Sequence, residues 1–489
     1  MKIEELLKDV EILDIRGIDG STEIKEVFTD SRSCTAGCMF IAVKGAESDG
    51  SEYIIPAIEN GAKYIALSEE SYARWESKLK GTPAVIVKND RKAEAQIASN
   101  YYERPSLKLK LIGVTGTNGK TSIATLLYDI FTRLGHKCGL ISTIANYVNG
   151  RKYSTINTTP GPMELNRLMS EMTDDGCEYC FMEVSSHSID QERVSALRFA
   201  GGIFTNITHD HLDYHKTFAN YLNCKKKFFD SLPETAFALT NLDDRNGKVM
   251  VQNTAAQIHT YSCSRMADFM TRILEQDING MLLRINGVEI WCRFIGKYNA
   301  ENLTAIYGAA TLLGAPAEQL NVIMSELHSV SGRMEYFRGN DGTIAVVDYA
   351  HTPDALENVL KTLREVETGG DLICVFGCGG NRDKTKRPEM GAIAGKYASR
   401  IIVTSDNPRY ENPEEIINDI KGGIDKEIMP RTLFITNRKE AIRTAVMTAR
   451  PGSIILVAGK GHEDYQIING VKHHMDDREI VRNAFAGME

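Results

Sequence analysis

The chain has no apolar run approaching the ~20 residues that a membrane-crossing helix needs. Runs such as Ser453–Ala458 have the length of buried strands in a parallel sheet. The opening residues, Met1 to Val10, are amphipathic and acidic, without the apolar core and small-residue cleavage site of a signal peptide, so a cytoplasmic location is expected. A basic excess is missing too. The formal charge is −8 at pH 7, which argues against a general nucleic-acid binder. Ten cysteines are scattered through 489 residues, in a chain large enough not to need disulfides. The one close pair, Cys177-x-x-Cys180, lacks a second Cys pair or a neighbouring His and reads as two thiols on a core strand. No internal repeat or low-complexity tract is visible.

What is present is the composition of a globular protein, 42% hydrophobic and 25% charged. The length calls for about two to four domains, and three segments emerge. Residues 1–106 mix short strands and turns, with Thr29-Asp-Ser-Arg32 and Lys44–Gly50 as polar loops. After Pro105, a strand from Leu107 to Val114 opens a segment, 107–334, in which strands alternate with helices, the pattern of a parallel sheet with crossover helices. Its first helix shows one apolar face: Ile123, Leu126, Leu127, Ile130, Phe131 and Leu134. A third α/β segment, 335–489, has strands at Ile344–Asp348, Leu372–Phe376, Ile401–Thr404 and Ile454–Ala458, each ending in the kind of loop that binds ligands in open α/β sheets.

Between the Leu107 strand and that helix lies Gly113-Val-Thr115-Gly116-Thr117-Asn118-Gly119-Lys120-Thr121-Ser122. Glycines let backbone N–H groups approach phosphate, and a helix N-terminus adds partial positive charge. Lys120 can meet the outer phosphates and Thr121 can ligate Mg²⁺. The usual phosphate-loop spacing is replaced by glycines at every third residue, 113, 116 and 119. Glu183 ends a second apolar strand, as an acidic Mg²⁺ ligand would. Asp210-His211-Leu-Asp213-Tyr-His215 follows a third. Lys225-Lys226-Lys227, on an expected helix, is open to two readings, a local anion site or a solvated face.

The form Thr115–Thr121 resembles the ATP loop of the Mur ligases and the folylpolyglutamate synthases, which make amide bonds through an acyl phosphate. The resemblance to the Mur ligase family extends over essentially the whole chain. It implies three α/β domains: an N-terminal UDP-substrate-binding domain, a central ATPase domain of P-loop type with a mostly parallel sheet, and a C-terminal Rossmann-like domain. It also implies ATP as substrate, Mg²⁺ as cofactor and a monomer. Tyr221 followed four residues later by Lys225 matches the family's carbamylated lysine, which gives metal ligands Thr121, Glu183, His211 and carbamylated Lys225, with Lys120, Glu183, His211 and Lys225 as the catalytic set. Further nucleotide contacts implied are Asn299, Asn302, Arg333 and Asp348.

The resemblance is closest to the members that add the third residue of the cell-wall peptide. It assigns Thr29, Ser31, Ala46, Glu47 and Ser48 to the uridine nucleotide, and Asn157, Thr158, Thr159, Ser185, Gln191 and Arg193 to the rest of a UDP-muramoyl dipeptide. In the third segment Arg382, Asp406-Asn407-Pro408-Arg409, Gly459 and Glu463 match the acceptor site, and the Asp-Asn-Pro-Arg form is that of members adding meso-diaminopimelate. Rivals within the class are a lysine-adding ligase and a folylpolyglutamate synthase. The rival outside it is a P-loop switch or transport ATPase, which would not need three strand-end motifs in a third domain.

Overall fold

A computed structural model describes residues 1–45, 48–79, 81–367 and 369–487. Three sheets follow one another along the chain. The first has five strands in the order Ile12–Arg16, Ala84–Val87, Tyr64–Ser68, Met39–Ala42 and Val27–Phe28, parallel except for the edge strand Ile12–Arg16. Met39–Ala42 and Ala84–Val87 are buried at every position, as parallel strands covered on both faces must be. The helix Asp90–Tyr101 begins where the Asn89 side chain accepts from Lys92 N, satisfying one free donor of its first turn.

The central sheet has eleven strands. Its parallel core runs Gln257–Ser262, Phe237–Asn241, Gly201–Phe204, Lys110–Thr115, Tyr179–Glu183 and Cys138–Ile141. Strand order reverses around Lys110–Thr115, because the chain goes first to one side of it and later to the other. That leaves a crevice at its carboxyl end. The helix Lys120–Arg133 buries Ile123, Leu126, Leu127, Ile130 and Phe131, and the Phe131 ring packs 5.3 Å from that of Phe181. The sequence pattern did not distinguish two antiparallel additions: the meander Phe269–Asp277, Gly280–Ile285 and Val288–Cys292 on one edge, and the hairpin Asn146–Val148 with Arg151–Tyr153 on the other. The expected strand at Leu107 also starts later. Pro105, with no N–H and fixed φ, opens a 3-10 turn to Leu107, and the strand begins at Lys110. Cys177 and Cys180 are buried free thiols, as their apolar setting suggested.

The third sheet orders Glu335–Arg338, Ile344–Asp348, Ile454–Ala458, Leu372–Phe376, Arg400–Val403 and Thr432–Phe434, all parallel but the first. Apolar clusters cover both faces. Under the carboxyl end of Ile454–Ala458 the fully buried Arg438 pairs with Asp477 at 2.8 and 2.7 Å and donates to Ala458 O at 2.9 Å. The pair fixes where that strand releases the chain into Gly459. Among the described residues no helix is long and apolar enough to cross a membrane.

Candidate active site in the cleft between the sheets

The loop Thr115–Thr121 leaves the strand at the crevice and enters the helix at Lys120. Gly116 has φ 151°, and a Cβ there would lie 1.8 Å from Thr205 Oγ1. Gly119 has φ 87°, and its Cβ would come within 2.5 Å of Asn302 Oδ1. Both positions therefore require glycine. Gly113 does not belong to the loop: it sits inside the strand, where a Cβ would press 2.6 Å from the Phe228 ring. The three-residue glycine period thus joins one packing glycine to two loop glycines. Asn206 grips the loop twice, its backbone oxygen accepting from Thr117 N at 2.8 Å and its Oδ1 from Asn118 N at 2.9 Å. The Lys120 ammonium donates to Gly116 O at 2.9 Å and Thr117 O at 2.8 Å. Burial lowers its pKa, and Glu183 and Asp210 oppose that shift.

Lys225 lies on the helix Phe218–Asp230, which the Thr217 side chain caps. Its side chain is buried, its Nζ donates to Gly116 O at 2.9 Å, and it sits 4.9 Å from the Tyr221 ring centroid. Burial first, then the charge of Lys120, push its ammonium well below the ordinary lysine range. Lys226, one residue on, pairs with Asp230 at 2.6 Å. The solvated-face reading therefore fails for Lys225, which faces the phosphate loop. Tyr221 reaches the same loop, its hydroxyl 3.1 Å from Thr117 Oγ1. His211, in a left-handed turn at φ 53°, lies beside Asp210 and His187. Burial lowers His211 and His187 to about 4, so both rings are neutral near pH 7.

Glu183 is buried at its strand's end, with Oε1 accepting from Thr143 N at 2.7 Å. Oε2 accepts no hydrogen bond among the described residues, and Thr121 Oγ1 lies in the first turn of the neighbouring helix. Among the described residues no three His, Cys, Asp or Glu side chains converge as a self-sufficient metal cage. That donor set suits a hard cation holding one or two protein oxygens and taking the rest from phosphate and water.

Beside Glu183 runs a hydrogen-bonded strip. Thr143 Oγ1 donates to Thr158 Oγ1 at 3.1 Å, and Thr159 Oγ1 donates to Glu183 O at 2.9 Å. Arg193 donates to Thr159 O at 2.7 Å and clasps Gln191 Oε1 at 3.1 and 2.6 Å. Gln191 in turn reaches Tyr214, whose hydroxyl donates to Asp190. Ser185 caps the short helix Ser186–Asp190, and Asn157 is exposed at the strip's edge. Glu94, on the first domain's helix, faces Arg193. In the first domain Thr29 is exposed just after the strand Val27–Phe28, while Ser31 is buried with its carbonyl accepting from Asn60 Nδ2 at 3.0 Å. Ser48 is exposed; Ala46 and Glu47 lie outside the described residues.

The third domain meets this cleft directly. Arg333 Nη2 lies 3.2 Å from Thr121 Oγ1, and its guanidinium stacks 4.4 Å from the Tyr349 ring centroid. Asp354 Oδ2 accepts from Asn118 Nδ2 at 3.1 Å, docking the helix Pro353–Glu365 onto the phosphate loop. Asn302 adjoins Gly119, and two other expected nucleotide contacts also hold backbone groups of the fold. Asn299 donates to Ile295 O at 2.8 Å, and both Asp348 oxygens accept backbone N–H groups, from Met334 and Ala350 at 2.8 Å each.

At the far end of this domain Arg409, at φ 54°, donates to Gly380 O at 2.8 Å and has no carboxylate partner among the described residues. Burial, then the charge of nearby Arg382, lower its pKa. Among the described residues Arg382 likewise has no carboxylate within ion-pair distance. Asp406 Oδ1 accepts from Asn407 N at 2.6 Å in the turn before Pro408. Its other oxygen lies 2.6 Å from where a Cβ on Gly459 (φ 116°) would stand. Asn407 Nδ2 donates to Glu463 Oε2 at 2.9 Å. Sequence reasoning missed Thr143, Asn206, Asp354 and Lys460. Thr143, Asn206 and Asp354 act on partners far along the chain, whereas Lys460 lies inside the Gly459–Glu463 motif and pairs with Glu463 three residues on.

Three family models match in series: "Mur ligase family, catalytic domain" over residues 23–102, "Mur ligase middle domain" over 114–310, and "Mur ligase, glutamate ligase domain" over 332–461. The chain is 52% identical to the UDP-N-acetylmuramoyl-L-alanyl-D-glutamate–2,6-diaminopimelate ligase of Phocaeicola vulgatus, over 99% of this chain and 100% of that protein. It is likewise 52% identical to the enzyme of that name from Bacteroides thetaiotaomicron, over 99% and 100%. A solved structure of a ligase of the same name aligns with TM-score 0.69 and 31% identity, covering 100% of this chain and 99% of that one.

Proposed function

Since the chain belongs to the Mur ligase family, we propose that it joins meso-diaminopimelate to UDP-N-acetylmuramoyl-L-alanyl-D-glutamate, using ATP, in the synthesis of peptidoglycan precursor. The observation that carries this reading is spatial. One cleft joins a preformed phosphate loop, a Glu183 carboxylate with one oxygen free of hydrogen bonds among the described residues, and a buried amine at Lys225. The third domain adjoins it with two guanidiniums beyond that have no carboxylate partner among the described residues.

Chemically, the D-glutamyl carboxylate attacks the γ-phosphorus of ATP and displaces ADP. The acceptor amine then adds to the acyl carbon, loses its proton, and expels phosphate. Lys120 leaves its two carbonyl partners to meet the outer phosphates, and the first-turn N–H groups of its helix hold them. Lys225, whose pKa is lowered by burial, reacts as the neutral amine with CO₂: an N–C bond forms, one proton leaves, and the side chain becomes an anion. Glu183 Oε2, Thr121, His211 and that carbamate are the groups that would hold Mg²⁺. When bound, the ion neutralises charge on the phosphate oxygens. Thr158, Thr159, Ser185, Gln191 and Arg193 hold the muramoyl dipeptide with Asn157, and Thr29, Ser31 and Ser48 hold the uridine end. Asn302 and Arg333 border the nucleotide. Arg409 and Arg382 take the distal carboxylate of the acceptor and Glu463 its ammonium.

In this reading residues 1–106 bind the UDP substrate, 107–334 ATP, and 335–489 the acceptor. A monomer working in the cytoplasm completes the reading. Phosphate release in the presence of the UDP-dipeptide, with meso-diaminopimelate and L-lysine compared as acceptors, tests it.

A further inference from the structure

Lys460 is fully buried, yet it is neither in the phosphate loop nor among the groups placed on a substrate. Its Nζ lies 3.1 Å from Glu463 Oε2 and 3.3 Å from Asn407 Oδ1, and Asn407 Nδ2 closes the triangle at 2.9 Å from the same Glu463 oxygen. Glu463 Oε1 accepts no hydrogen bond among the described residues. The acceptor pocket therefore contains two kinds of charge. Among the described residues Arg409 and Arg382 have no carboxylate within ion-pair distance, although Asp406 and Glu463 act on Arg409 from further off, whereas Glu463 is already paired with a buried ammonium from within the protein.

That asymmetry bears on which acceptor fits. An isolated half-buried carboxylate attracts any ammonium, because a desolvated charge without a partner is costly. A carboxylate matched by a buried ammonium gains much less from a second cation. A lysine side chain brings an ammonium only. A diaminopimelate end brings an ammonium and a carboxylate, and the carboxylate finds Arg409. Discrimination is a difference between two affinities, and it improves when the wrong partner is made unwelcome.

Resting on the acceptor reading above, we propose that Lys460 determines specificity by neutralising Glu463, so that the pocket rejects acceptors carrying a distal ammonium without a carboxylate. Lys460 touches no substrate; it acts through the charge and position of Glu463 and Asn407.

The test is steady-state kinetics with meso-diaminopimelate and L-lysine on the full chain, comparing wild type, Lys460→Met, Lys460→Gln and Lys460→Met/Glu463→Gln. In both single variants the ratio of kcat/KM for diaminopimelate to that for lysine should fall at least about tenfold, with a lower KM for lysine. In the double variant, which has no anion to unmask, the lysine KM should return to the wild-type value. Lys460→Gln keeps a hydrogen-bond donor and no charge, so it reports on charge even if Lys460→Met does not fold. An unchanged acceptor ratio in a folded single variant overturns the proposal, as does a gain for lysine that persists in the double variant. A wild type that does not use diaminopimelate would instead sink the acceptor reading beneath it.

Discussion

The amine of Lys225 donates to the carbonyl oxygen of Gly116 at 2.9 Å, across 109 residues of sequence, so the helix that carries the lysine is fastened to the phosphate loop. Burial and the charge of Lys120 lower the pKa of this lysine beside the phosphate loop, which favours the neutral amine that carbamate formation needs. Asp210 opposes this downward shift without reversing it.

Lys225→Ala should therefore fold, with a melting temperature near wild type, and should lose nearly all ligase activity. A small added carboxylate that fills the vacated space should restore part of it. Lys226→Ala removes a partly buried ion pair to Asp230 that does not involve the phosphate loop, and it should keep activity. Carbon-13-labelled bicarbonate should give a carbamate signal in wild type that Lys225→Ala lacks. Full activity in Lys225→Ala would end the assignment.

Glu94 predicts a pH dependence of stability. Burial raises its carboxyl to about 7, against Arg193 and Arg91, which lower it, and Asp90, which raises it further. Its folded pKa lies above the unfolded value of 4.5, so the folded state binds more protons between those limits. The stability that protonated Glu94 contributes is complete below about pH 4.5 and is lost as pH rises through about 7. Glu94→Gln should leave the melting temperature nearly unchanged at pH 5 and raise it relative to wild type at pH 8. An equal difference at both pH values contradicts the assignment.

The phosphate loop could be read from sequence because its chemistry is contiguous: strand, glycines, Lys-Thr and helix occupy adjacent residues. The parallel strands were legible for the same reason, as short apolar runs buried on both faces. Lys225 was different. Three consecutive lysines are equivalent in composition, and it is their partners that separate them: Lys225 reaches Gly116 O, whereas Lys226 pairs with Asp230. Asp354 on Asn118, separated by 236 residues, had no local pattern at all, whereas Lys460 lies three residues before one partner, Glu463, and 53 from the other, Asn407. Asp348 marks the opposite limit, since a motif located the residue but not its partners, which are backbone N–H groups.

Arg409 should choose between acceptors. Its guanidinium rests on one carbonyl with Arg382 beside it, so an incoming carboxylate meets two cations and a planar fork. Truncating one partner of a desolvated charge pair costs about 2–5 kcal/mol, so Arg409→Ala should lower kcat/KM for meso-diaminopimelate by roughly 30-fold to several thousand-fold. Arg409→Lys should not restore it, and UDP-dipeptide binding should barely change. A uniform loss with every acceptor, together with a lower melting temperature, would instead make Arg409 a support for its turn.

The most direct test of the central claim is acceptor-dependent phosphate release by the wild-type protein, with MgATP and UDP-N-acetylmuramoyl-L-alanyl-D-glutamate both present. Phosphate should appear with meso-diaminopimelate, in step with formation of the tripeptide product, and far more slowly with L-lysine or with no acceptor. Release that is indifferent to the acceptor, or that favours lysine, would contradict the account.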